Sequence, residues 1–244
     1  CCEKVIALTG GKNAEAWRER ADVLYDLGEY EEALKSVEKA LELGGGAREW
    51  YLRGLILAKL ERNEEALESL ERAIREDPGY VKAWYSKSLL LFNMERYGEA
   101  ARSYEEFLRI NPEHVDGWVE LGISLAKTGN HERALSCFDR AIELTEGRNA
   151  EAWNEKGNVL LELGRVEEAL ECYERAVELK PEEPVYWYNR GNALSMVGRV
   201  EEALSCYDRA LELGMGMAAW YNKGCLLLKL ETVSYTHLRA HETE

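Results

Sequence analysis

Proline is scarce in this chain of 244 residues: there are 4. So few breakers, beside 46% hydrophobic residues, exclude a disordered chain and a turn-rich all-β one. Positive charge is also short. Lys and Arg number 31 against 46 Asp and Glu, a formal charge of −15. A chain this acidic repels phosphate, which argues against nucleic acid and anionic membrane as partners. No apolar run approaches the ~18 residues of a membrane span. The 6 cysteines form no CxxC pair and no Cys/His cluster of zinc spacing, so no metal or other cofactor is expected. What the chain does have is charge: 32% of residues, above the usual quarter and in the direction of helix-rich proteins.

The tryptophans reveal the organisation. All seven, Trp17, Trp50, Trp84, Trp118, Trp153, Trp187 and Trp220, follow one another at spacings of 33, 34, 34, 35, 34 and 33. Other columns lock to the same phase. Four residues after each Trp stands Ala21, Gly54, Ser88, Gly122, Gly157, Gly191 or Gly224. Sixteen after come Ala33, Ala66, Ala100, Ala134, Ala169 and Ala203, and twenty after come Val37, Leu70, Tyr104, Phe138, Tyr173 and Tyr207. Twenty-three after come Ala40, Ala73, Phe107, Ala141, Ala176 and Ala210. Within a repeat the apolar steps are of three and four residues, interrupted once by a turn such as Gly164-Arg165. Each repeat is therefore read as a helix, a short turn and a second helix. Acidic pairs such as Glu167-Glu168 open the second helix, where carboxylates suit the positive end of its dipole. A repeat this short cannot bury its own apolar face, so neighbours must stack.

The pattern Trp…Gly…Leu…Gly…Ala…Tyr/Phe…Ala…Pro resembles the tetratricopeptide repeat, most closely in "AWNEKGNVLLELGRVEEALECYERAVELKP". The resemblance implies an all-α fold, a right-handed α-solenoid of stacked helix-turn-helix repeats, with about six full units and partial units at both ends. Units are expected to start at residues 14, 47, 81, 115, 150, 184 and 217. Residues 1–13 read as the end of a preceding repeat, 14–231 as the array, and 232–244 as a non-native tail. The stretch "VSYTHLRAHET" resembles a translated sequencing-library adapter. His237 and His241, an i, i+4 pair there, are set aside with it. Cys1 could carry a lipid, but it falls in the repeat phase. Cys1, Cys137, Cys172 and Cys206 share one column with Ser36, Ser69 and Ser103. Stacked helices put such positions ~8–10 Å apart, beyond the ~7 Å limit for a disulfide. Unpaired thiols predict a reducing, cytoplasmic location.

The resemblance also implies that first helices line a binding groove. In the second and third repeats the groove phases carry Tyr51 and Leu55, then Tyr85, Leu89 and Phe92, an apolar and aromatic strip edged by cations. The fifth to seventh repeats carry Asn154 and Asn158, then Tyr188, Asn189 and Asn192, then Tyr221 and Asn222. An amide both donates and accepts, so it can pair with peptide backbone whatever the sequence. Tyr and Leu supply anchors. Alternatively, Leu55, Leu89 and Ile123 pack against the next repeat and the Asn residues are solvated. A carboxylate clamp lacks its Lys and Arg, because Glu151, Val185 and Ala218 occupy those places. No catalytic constellation is read, and His114 and His131 read as solvated loop residues. The expected function is a scaffold that binds a protein or peptide segment. The alternative is a substrate-positioning arm of a larger enzyme. RNA binding would need basic columns that are absent. Uncapped ends leave self-association open.

Overall fold

The computed structural model describes residues 2–241, with their side chains from residue 4 to residue 230. Among the described residues there are fourteen α-helices and no strand. They fall into two compact bodies, one ending at Thr128 and the other beginning at Gly129. The first holds α1 (Cys2–Leu8), α2 (Ala14–Asp26), α3 (Tyr30–Glu42), α4 (Ala47–Lys59), α5 (Asn63–Glu76), α6 (Val81–Asn93), α7 (Tyr97–Ile110) and α8 (Val115–Lys127). The second holds α9 (His131–Leu144), α10 (Ala150–Glu162), α11 (Val166–Leu179), α12 (Pro184–Met196), α13 (Val200–Glu212) and α14 (Met217–His241). α14 continues as one helix past Glu231; the side chains of the expected tail, like Cys1, lie outside the described residues.

Within each body the plan is an all-α solenoid of helix-turn-helix repeats. α2 pairs with α3, α4 with α5 and α6 with α7; then α10 with α11 and α12 with α13. Each second helix also meets the next first helix. First helices meet one another, as α2 with α4 and α10 with α12, while second helices have no comparable packing.

Local chemistry sets the helix ends. Asn13 and Asn149 cap α2 and α10, their side chains accepting from Ala16 N at 3.0 Å and Ala152 N at 2.8 Å. The turn inside each hairpin needs one residue in the left-handed region. Gly28, Gly129, Gly164 and Gly198 supply it at φ +73° to +80°; Glu61 and Glu95 hold the same position at +59° and +58° against their steric preference. At the following position Arg62, Arg96, Arg165 and Arg199 fork onto Glu65, Glu99, Glu168 and Glu202 at 2.6–2.8 Å. These pairs hold the first turns of α5, α7, α11 and α13, though exposure keeps their contribution small.

The small and large columns meet in the core. The alanines of both columns, and Val37, Leu70, Tyr104, Phe138, Tyr173 and Tyr207, are buried. Each of the larger apolar side chains contributes about 2 kcal/mol, the alanine methyls less. Gly54, Gly157 and Gly191 lie so close to Leu70, Tyr173 and Tyr207 that an added Cβ would come within 2.8 Å of each. Ser36, Ser69, Ser103, Cys137, Cys172 and Cys206 of the shared column are buried as well.

The tryptophans stand beside the core, Trp153 and Trp187 packing against its buried clusters. They are half-buried, and Trp220 is 63% exposed. The indole N–H of Trp17, Trp84, Trp118, Trp153 and Trp187 donates to a carbonyl six residues earlier, at 2.8–3.0 Å. This pins the loop before each first helix. Three residues on, a cation lies over the ring: Arg53 on Trp50, Lys87 on Trp84, Lys156 on Trp153 and Arg190 on Trp187, at 5.5–6.0 Å. The same cations reach back to the preceding second helix, where they pair with Glu38, Glu71, Asp139 and Glu174 at 2.6–3.3 Å. A Trp–cation–acid staple thus joins successive hairpins. In the fourth repeat Leu121 replaces the cation.

Candidate functional site

In the first body the expected strip lies along α4 and α6, and all five of its residues are half-buried. Tyr51 packs edge-on against Tyr80 at 5.2 Å, and Phe92 against Tyr97 at 5.3 Å. Tyr85 lies 4.9 Å from Phe107 and 5.0 Å from His114, and its hydroxyl donates to Glu120 Oε1 at 3.3 Å. Burial, with Glu120 and Asp116 nearby, pushes the Tyr85 hydroxyl up to about 12. The buried Tyr104 hydroxyl is raised for the same reasons, desolvation first and Glu120 second. His114 is no solvated loop residue. It caps α8, its Nδ1 accepting from Gly117 N at 3.0 Å, and its ring packs on Phe107. His131 begins α9 and faces Glu162 at 3.5 Å. The acids of α2 are cross-linked to α4: Arg18 reaches Glu15, Asp22 and Glu49, and Arg48 reaches Asp22. Partial burial raises the Asp22 carboxyl, and the two arginines oppose that shift.

In the second body the expected amides form two hydrogen-bonded clusters, one between α10 and α12 and one between α12 and α14. Asn189 Nδ2 donates to Asn154 Oδ1 at 2.9 Å, and Asn154 Nδ2 donates to Glu155 at 2.9 Å. Asn222 Nδ2 donates to Asn192 Oδ1 at 2.8 Å and to the Tyr188 hydroxyl at 3.0 Å. Asn158 donates to Glu155 at 3.2 Å. From below, the buried tyrosines of the second helices complete the set: Tyr173 donates to Asn158 at 2.8 Å and Tyr207 to Asn192 at 2.9 Å.

The seven expected residues of this body occupy three levels. Asn154 is 3% exposed and belongs to the interior of its cluster. Asn158, Tyr188, Asn189, Asn192 and Asn222 are half-buried, and Tyr221 is 72% exposed. Beside Asn192 and Asn222 opens a cavity of about 350 Å³, bounded also by Met196, Tyr207 and Leu226. An amide that spends one N–H on a neighbour keeps a second donor and a lone pair, so a cluster half fixed by its own bonds still presents hydrogen-bonding groups in set positions.

Two features were missed in the sequence. One is the Trp–cation–acid staple. The other is the tyrosine hydroxyl beneath Asn158 and beneath Asn192. A signal for the second was present, since Asn158 and Asn192 stand in the hairpins whose facing residues are Tyr173 and Tyr207. In the second repeat the same two positions are Leu55 and Leu70.

The family model of the tetratricopeptide repeat matches residues 3–48, 18–81, 51–114, 85–149, 119–184 and 154–218. No curated protein matches the sequence. Among solved structures, YrrB, described as a TPR protein with an unusual peptide-binding site, is 28% identical, with 77% of this chain and 97% of that one covered at a TM-score of 0.64. MamA from Desulfovibrio magneticus RS-1 is 22% identical over 70% of this chain and 96% of its own, with a TM-score of 0.64. The C-terminal part of a TPR repeat-containing protein from Cytophaga hutchinsonii is 17% identical over 88% and 90%, with a TM-score of 0.73.

Proposed function

The chain belongs to the tetratricopeptide repeat family, and from that premise we propose that it is a protein-interaction scaffold that holds an extended protein or peptide segment, without chemistry of its own. The observation that carries this reading is the pair of tyrosine-anchored amide clusters on α10, α12 and α14. Asn189, Asn192 and Asn222 are held in register by Asn154, Tyr188 and Tyr207. A fixed row of amides loses little side-chain entropy when it pairs with a peptide backbone. The adjoining cavity with Met196 gives room for an apolar side chain. In the first body Tyr51, Leu55, Tyr85, Leu89 and Phe92 offer apolar anchors instead. The peptide-binding site named for YrrB supports the same class of ligand here. The charge of −15 supports protein over nucleic acid. No helix among the described residues is long and apolar enough to cross a membrane. Buried free thiols at Cys137, Cys172 and Cys206 support a reducing compartment.

Peptides selected on the purified chain from a random display library test this proposal. The double change Asn189→Ala with Asn222→Ala should weaken the selected peptides about tenfold or more, two lost hydrogen bonds, while far-UV circular dichroism stays unchanged. A parallel change, Tyr85→Ala with Phe92→Glu, asks the same of the apolar strip. Peptides that bind both variants as well as the parent would overturn the assignment.

A further inference from the structure

α10 carries two stripes on opposite sides. At 100° per residue, Asn154 and Asn158 share the side of the amide clusters, while Trp153, Lys156 and Leu160 face the other way. Beside this second stripe, α10 and α11 enclose a recess of about 470 Å³. Its floor is apolar: Leu160 and Cys172 are buried and the Trp153 ring is half-buried. Its rim is acidic, with Glu168, Glu171, Glu174 and Glu178 against Lys156 and Arg175. Most of these charges are matched. Arg165 holds Glu168, Arg190 holds Glu174, Arg175 holds Glu178, and Asp139 holds Lys156. Among the described residues, Glu171 has no cation within ion-pair distance.

The first body contains an internal control. α6 and α7 build the same recess over Trp84 and Leu91, but its volume is about 220 Å³. There Arg102 stands where the second body has Glu171, and Glu106 where it has Arg175. The charges around it balance, Lys87 and Arg102 against Glu99 and Glu106. Hairpin geometry therefore makes the recess, and the residues of α11 make one copy larger and acidic.

We propose that the recess between α10 and α11 docks a partner protein segment that presents one apolar side chain flanked by lysines or arginines. The apolar group would cover the floor of Trp153 and Leu160, and a flanking cation would meet Glu171. A second copy of this chain fits poorly, because a chain of charge −15 opposes its own acidic rim. The proposal is independent of the amide face, which lies on the other side of α10.

The probe is an amidated peptide of one leucine between paired lysines, titrated into the ¹⁵N-labelled chain. The seven indole signals are read, with Trp153 and Trp84 assigned by Trp→Phe changes. The Trp153 signal should shift saturably and the Trp84 signal should not. Glu171→Lys should weaken the effect about fivefold, the scale of an exposed charge pair. Arg102→Glu should bring the Trp84 signal into play. A glutamate version of the peptide should do nothing. The proposal is overturned if Trp153 stays still at millimolar peptide, if Trp153 and Trp84 move alike in the parent, if Glu171→Lys binds as well, or if the amide-face Asn signals move instead.

Discussion

Gly157 offers the sharpest check on how the hairpins close. Replacing it with Ala gains about 1 kcal/mol of helix propensity. The new Cβ, however, would lie 2.7 Å from Cε1 and 2.9 Å from Cδ1 of Tyr173. That ring has nowhere to go, because Tyr173 is fully buried and its hydroxyl is bound to Asn158 at 2.8 Å. Overpacking of this kind costs about 1–3 kcal/mol, and a displaced ring also weakens a hydrogen bond worth about 1 kcal/mol. The expected net effect is a loss of about 1–2 kcal/mol, overpacking winning over propensity. The array itself shows how to relieve the clash. In the first repeat the same two positions are Ala21 and Val37, both buried without conflict. Gly157→Ala combined with Tyr173→Val should therefore cost less than the sum of the two single changes. Denaturant unfolding followed by circular dichroism gives the overall midpoint. Hydrogen exchange in α10 gives the local stability, which matters because repeat arrays need not unfold as one unit. Gly224 in the same column has nothing within 4 Å of its added Cβ, so Gly224→Ala should stabilise by about 0.5–1 kcal/mol. A Gly157→Ala protein more stable than the parent, or strict additivity in the double variant, would refute the packing argument.

Two further outcomes follow from the turn and from the strip. Glu95→Gly should raise stability by about 1 kcal/mol, because a side chain is held at φ +58° where four other repeats use glycine; the denaturation midpoint reads it. Tyr85 has its folded value raised from 10.0 to about 12, so its neutral form is the one the fold favours. That contribution is complete below pH 10 and is lost as pH rises through about 12. Tyr85→Phe should flatten this part of the alkaline stability profile, measured as unfolding midpoint against pH.

Much of the fold was legible because the same small set of contacts is written many times. One Trp spacing could be chance, but six in phase with glycine, alanine and aromatic columns cannot. The candidate site was legible only as phases of a helix. Phase placed Asn154 and Asn189 on related faces, but it could not tell that one amide would be buried beneath the other. It put His114 in a loop without revealing that the ring would pack edge-on against Phe107 and cap α8. The spacing of the tryptophans did not reveal that their indoles pin loops and carry cations.

The sequence alone determined the period, the two-helix repeat, the turn and the small-against-large core, because each depends on which residues recur within one hairpin. Tertiary structure decided which polar groups are spent and which are offered. Asn192 is claimed by Tyr207 fifteen residues away and by Asn222 thirty residues away. It also decided that one recess is wide and acidic while its twin is narrow and neutral. A hydrogen bond or a cavity depends on ångström distances between side chains of different helices, and periodicity fixes only the direction in which those side chains point.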